Sequence, residues 1–114
     1  MTDPGVYDDA ADLIETHGWT QFMLGDEKVG FCLIGAIRQA LHNRYHDDLN
    51  LGDAIDDAVE HSDRRLNAPA RTPADPLCMS NSAWWNDQEG RTRFEVVDHL
   101  RHLAKTIRNT KDPE

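Results

Sequence analysis

Apolar residues recur with helical spacing in four stretches of this chain. Tyr7, Ala10, Ala11 and Ile14 stand at i, i+3, i+4 and i+7, with Asp8, Asp12 and Glu15 on other faces. That spacing predicts an amphipathic helix over residues 6–17. Asp3-Pro4 reads as its start and Gly18 as its stop. Residues 19–24 are short and apolar-rich, and Gly25-Asp26-Glu27-Lys28 reads as a turn. Together they predict a short two-stranded hairpin near residues 20–30 that returns through Val29.

The most apolar helix is expected over residues 31–46, with Leu33, Ile37, Ala40 and Leu41 in one stripe. Gly35 lies inside it. Glycine within a helix costs about 1 kcal/mol against alanine, so another helix or a Trp ring is expected to approach closely there. A third helix is predicted over residues 50–65, with Asn50 as cap and Leu51, Ile55, Ala58 and Val59 facing inward. Asp53, Asp56, Asp57 and Glu60 share its other side. Residues 67–83 contain Pro69, Pro73 and Pro76 and read as a long irregular connection.

The last helix is expected from Arg93 to about Arg108. Thr92 and Glu95 have capping-box spacing. Val96, Val97, Leu100, Leu103, Ala104 and Ile107 form its buried stripe. Residues 109–114 read as a flexible polar tail. The pattern predicts a mostly α fold of about four helices in a compact orthogonal bundle, one domain over residues 1–114. Its expected core is Ile14, Leu33, Ile37, Leu41, Ile55, Val59, Val97, Leu100 and Leu103.

A chain of 114 residues is long enough to bury such a core without staples. No apolar run approaches the roughly 20 residues of a membrane span. The N-terminus has neither a basic region nor an apolar signal core, so a cytoplasmic location is expected. Cys32 and Cys78 are then expected to be free thiols. The net charge of −9 is unevenly placed. Residues 1–57 carry 12 acids and 3 bases, and residues 58–114 carry 9 of each. The acidic front and the locally basic last helix are expected to complement each other inside the fold. Overall acidity argues against direct nucleic-acid binding, which needs a basic footprint. It suits a protein partner with a basic surface.

Candidate chemistry is sparse. The acids Asp53, Asp56, Asp57 and Glu60 lack the Glu-x-x-His pattern of a di-metal helix site. The pairs His42/His46 and His99/His102 lack the His-Glu-x-x-His arrangement of zinc peptidases. Surface histidines, no metal and no cofactor are expected, and no catalytic constellation is assigned. In the stretch 84–92, Trp84-Trp85-Asn86-Asp87-Gln88-Glu89-Gly90-Arg91-Thr92, Asn86 and Asp87 can hold a turn. One of the two tryptophans is expected in the core. Asp87 is a candidate partner of Arg91 or of a distant arginine. The competing reading makes the exposed Trp, Asn and Asp a recognition surface.

Three segments carry a resemblance. His17-Gly18-Trp19-Thr20-Gln21, then Gly30-Phe31-Cys32-Leu33-Ile34-Gly35-Ala36-Ile37, then Trp85-Asn86-Asp87 with Arg91-Thr92 and Glu95-Val96 resemble a family of small uncharacterised domains of actinobacteria and their phages. The resemblance spans residues 10 to 107. The chain departs from the pattern at the doubled Trp84-Trp85 and at Phe22, where the pattern has glycine. The resemblance implies such an origin and a mostly helical fold, and lends no activity. It also implies that Gly18-Trp19, the small face at Cys32, Gly35 and Ala36, and Trp85-Asn86-Asp87 meet as one joint.

The expected function is that of a non-enzymatic, acidic accessory protein that binds another macromolecule, a phage-encoded modulator of a host protein. A narrower version is a DNA mimic, with Asp8, Asp12, Asp53, Asp56, Asp57 and Glu60 imitating phosphates. The alternative is a small-molecule-binding or hydrolytic domain with its site at Trp85, Asn86 and Asp87.

Overall fold

A computed structural model describes residues 4–21, 23–45, 51–66 and 81–111. The expected cap at Asn50, the Pro-rich stretch up to residue 80 with Cys78, and also Phe22, His46 and the last three residues lie outside the described residues.

The first helix, α1, spans Pro4–His17. Its apolar stripe of Val6, Tyr7, Ala10, Ala11 and Ile14 is buried. It ends at Gly18, whose φ of 103° is a left-handed stop. Two short antiparallel strands follow, β1 at Gly25–Asp26 and β2 at Gly30–Phe31, with Gly25 opposite Phe31 and Asp26 opposite Gly30. The Asp26 carboxylate accepts from the backbone N–H groups of Val29 and Lys28, and these bonds hold its pKa below the usual value. On the other side of β2, residues 18–20 run parallel. Phe31 N–H donates to the Gly18 carbonyl at 3.0 Å, and Thr20 N–H to the Phe31 carbonyl at 3.2 Å.

Helices α2 (Leu33–Tyr45) and α3 (Leu51–Leu66) come next, then a short α4 (Asn81–Asn86) and a long α5 (Arg93–Lys111). Among the described residues, five helices therefore stand where the pattern predicts about four. The extra one, α4, covers the end of the stretch expected to be irregular. Its six residues are too few for a hydrophobic period to show. Asn109 to Lys111, expected in the flexible tail, continue α5.

The core joins α1, β2, α2, α3 and α5, and α1 lies against both α5 and α2. Ile14, Leu33, Ile37, Leu41, Leu100 and Leu103 are buried as expected. Ile55 and Val97 pack on the core from partly buried positions. Val59 does not join it. The inward positions of α3 are Ala58 and Ser62, one turn apart, which turns Val59 to the flank. Tyr7 is wholly buried and donates to the Ala58 carbonyl at 2.7 Å, tying α1 to α3.

Gly35 is explained by a backbone rather than by the expected helix or Trp ring. A Cβ there would stand 1.9 Å from the Leu24 carbonyl oxygen. The chain just before β1 lies directly on α2, and Cys32 N–H donates to the same carbonyl at 3.2 Å. The capping box at α5 is formed as expected. Thr92 N–H donates to Glu95 Oε1 at 3.0 Å and Glu95 N–H to Thr92 Oγ1 at 3.3 Å. The Thr92 backbone bond, with Arg91 beside it, holds the Glu95 carboxyl below its ordinary pKa.

Candidate functional site: a joint around Asn86

Asn86 closes α4 and is wholly buried. Its Oδ1 accepts from Trp19 Nε1–H at 2.7 Å and from Leu33 N–H at 3.0 Å. Both partners are donors only, so the amide orientation is fixed. Its Nδ2 donates to the Thr20 carbonyl at 3.2 Å and to Asp87 Oδ1 at 3.0 Å. All four hydrogen-bonding positions of the amide are thereby filled. Gln21 Nε2 adds bonds to the Asn86 and Gln88 carbonyls, each 3.0 Å long. One side chain thus links the segment after α1, the first turn of α2 and the end of α4.

Cys32 lies at the edge of this joint. Its Sγ accepts from Gly35 N–H at 3.2 Å, and burial pushes the thiol pKa up. A protonated, enclosed thiol is a poor nucleophile.

A second buried polar chain lies beneath α4. Ser62, Ser82 and His99 are all buried, so the expectation of surface histidines fails at His99. Arg65 NH1 stands 3.0 Å from His99 Nδ1. A guanidinium only donates, so Nδ1 accepts and the ring proton sits on Nε2. Nε2–H then donates to Ser62 Oγ at 2.8 Å, and the Ser62 and Ser82 hydroxyls share a hydrogen bond of 2.6 Å. Ser82 N–H donates to Asp63 Oδ1 at 2.7 Å. Burial, reinforced by the charges of Arg65, His102 and Arg91, lowers the His99 pKa to about 3. This chain cannot act as a Ser–His nucleophile pair. The histidine nitrogen facing the serine carries a proton, where a general base would need a lone pair.

Trp85 packs against the core with its ring 5.2 Å from that of His99, and the Arg91 guanidinium lies 4.0 Å over the Trp85 ring. Trp84 is half-buried. Arg91 also donates to the Trp85 carbonyl at 2.9 Å and to Glu95 at 2.6 Å. Its bonds thus go to the helix entrance and the capping box, while Asp87 accepts from Asn86.

The six acids of the expected acidic face divide into different settings. Asp8 and Asp12 lie against α5. Arg101 bonds Asp12 at 2.8 Å and also contacts Asp8 and Glu15, and Arg108 bonds Asp8 at 2.6 Å. These bonds, Asp12 first, raise the Arg101 pKa. Glu60 pairs with Arg64, and Asp57 lies 3.7 Å from His61. Asp53 and Asp56 are exposed.

Sequence reasoning gave no role to Ser62 or Ser82, held Gln21 only as part of a motif, and placed His99 on the surface. A signal existed for two of them. His99 stands three after Val96 and four before Leu103, on the buried stripe, and Ser62 stands four after Ala58. Among the described residues, no group of three or more His, Cys, Asp or Glu side chains is placed to hold a metal ion. No described helix is long and apolar enough to cross a membrane.

No curated protein and no solved structure matches the chain. A family model does match, over residues 1–106. The chain therefore belongs to DUF6197, described as a family of unknown function.

Proposed function

We propose that this chain is a non-enzymatic binding protein that docks on a protein partner through its hairpin. The carrying observation is a set of exposed apolar side chains on and beside that hairpin. Met23 is 53% exposed, Leu24 43% and Val29 51%. Large apolar side chains grouped on a surface mark contact sites. The support beneath them is rigid, because glycines at 25, 30 and 35 let backbone press on backbone. A rigid surface loses little freedom on binding.

Asp26 and Glu27 lie between these apolar positions in sequence, and the chain carries a net charge of −9. The matching partner presents an apolar patch with a basic rim. A cytoplasmic host protein, met by a chain of actinobacterial or phage origin, is the setting the three motifs suggest. The DNA-mimic version draws less support, since Asp8, Asp12 and Glu60 already face arginines. A site at Trp-Asn-Asp draws less still, because the Asn86 amide is fully engaged within the chain.

The test is capture of partners from host lysate on the wild-type chain and on a Met23→Ser/Val29→Ser variant. Both sites are exposed, so the variant is expected to keep its melting temperature. It should lose a partner that the wild type retains and that salt weakens. Equal capture by both chains would refute the hairpin as the docking surface.

A further inference from the structure

A second feature lies beside the hairpin and stands independently of the partner reading. A cleft of about 220 Å³ opens between the hairpin, α2 and α3. Leu24, Phe31 and Ile55 give it apolar walls, and Arg38, Gln39 and His42 give it polar ones. Gly35, Arg38, Gln39 and His42 stand at i, i+3, i+4 and i+7 of α2, so one helical stripe supplies a whole wall.

The charge on that stripe is out of keeping with the chain. Against 21 acids in the chain, the other arginines among the described residues are engaged. Arg44, Arg64, Arg91, Arg101 and Arg108 pair with carboxylates. Arg65 bonds His99, and Arg93 lies over Phe94. Arg38 has neither an ion pair nor a hydrogen bond to a described residue. Gln39 donates its Nε2 to Asn43 Oδ1 at 2.9 Å, which leaves its carbonyl oxygen as an acceptor.

We infer that this cleft binds a small amphipathic carboxylate, its acid on the Arg38 guanidinium and its apolar body against Leu24, Phe31 and Ile55. A concave apolar wall with a few convergent polar groups is the usual form of a small-molecule site. The planar guanidinium matches a carboxylate through two parallel bonds. Ligand pockets for drug-sized molecules run to roughly 300–1,000 Å³, so a cleft of about 220 Å³ takes a smaller acid.

The experiment is a titration of the isotope-labelled chain with hexanoate, benzoate and phenylacetate, followed by amide chemical shifts. The matching primary amides serve as uncharged counterparts. At least one acid is expected to give saturable shifts confined to residues around Arg38, His42 and the hairpin, at least tenfold tighter than its amide. Arg38→Gln, an exposed change, should abolish that preference with an unchanged melting temperature. Arg64→Gln, on α3, should leave it intact. Absence of saturable shifts with all three acids overturns the inference. So does equal binding of acid and amide, or an acid preference that survives in Arg38→Gln.

Discussion

The indole N–H of Trp19 donates to the Asn86 side-chain oxygen at 2.7 Å, across 67 positions of sequence. The same oxygen takes the Leu33 N–H at the start of α2. Two segments that the sequence keeps far apart are thereby held by one amide. Trp19→Phe and Asn86→Ala should consequently be coupled. In a double-mutant cycle read by urea unfolding, the two losses should fall short of additivity by about 1–2 kcal/mol. Additive losses would show that the bond contributes nothing of its own.

Glycine positions make a contrasting pair. At Gly35 an added methyl group meets the Leu24 carbonyl oxygen at 1.9 Å, and that oxygen belongs to backbone. Gly35→Ala should lower stability by about 1–3 kcal/mol or more through overpacking. At Gly52 on α3 an added methyl group meets no described neighbour within 4 Å. Gly52→Ala should raise stability by about 0.5–1 kcal/mol. Thermal melts of both variants check the pair, and a stable Gly35→Ala chain would contradict the close approach.

The helices and most of the core were legible in the sequence because an amphipathic helix repeats its signal over several turns. Val96, Leu100 and Leu103 each reinforce the same stripe. The hairpin was legible from Gly25 and the turn after it. The segments meeting at Asn86 were legible only as a set of motifs, since no period connects Trp19 with a residue 67 positions away. Polar residues in apolar stripes were the blind spot. His99 and Ser62 occupy core positions, yet their chemistry suggests the surface, and only Arg65 and Ser82, brought in by folding, make their burial tolerable. The helix α4 was too short to register.

His99 gives the fold a pH dependence. The folded chain holds the ring neutral, with its pKa lowered from 6.5 to about 3 by burial first. Folding therefore excludes a proton that the unfolded chain takes up below pH 6.5. The stabilisation is complete above that pH and is lost as pH falls towards about 3. The full loss is on the order of 3–5 kcal/mol. Urea unfolding at successive pH values should show the decline already between pH 6.5 and 5, above the range where most carboxylates titrate. His99→Leu should be less stable at neutral pH, with a flatter profile in that window. A wild-type profile that is flat there would mean that the ring is accessible.

Arg101 stands among three carboxylates of α1, Asp8, Asp12 and Glu15. Arg101→Gln removes the cation and leaves the acids repelling one another, with Arg108 still bonded to Asp8. Because the pairs are largely exposed, the loss should be modest, about 1 kcal/mol, and smaller at high salt. Melting curves at low and high ionic strength check both statements. A loss that grows with salt would rule out an electrostatic origin.

The hydrogen bonds of Asn86 link the segment after α1, α2 and α4, and the claim that they hold the fold together is tested most directly by the melting temperature of Asn86→Ala. The substitution strands the Leu33 donor in a buried setting and the Trp19 donor and Thr20 carbonyl in partly buried ones. The buried Leu33 donor costs about 1–3 kcal/mol and the two partly buried groups less. The melting temperature should fall by roughly 10–20 °C for a domain of this size. A melting temperature that stays at the wild-type value would mean that Asn86 does not hold the fold together.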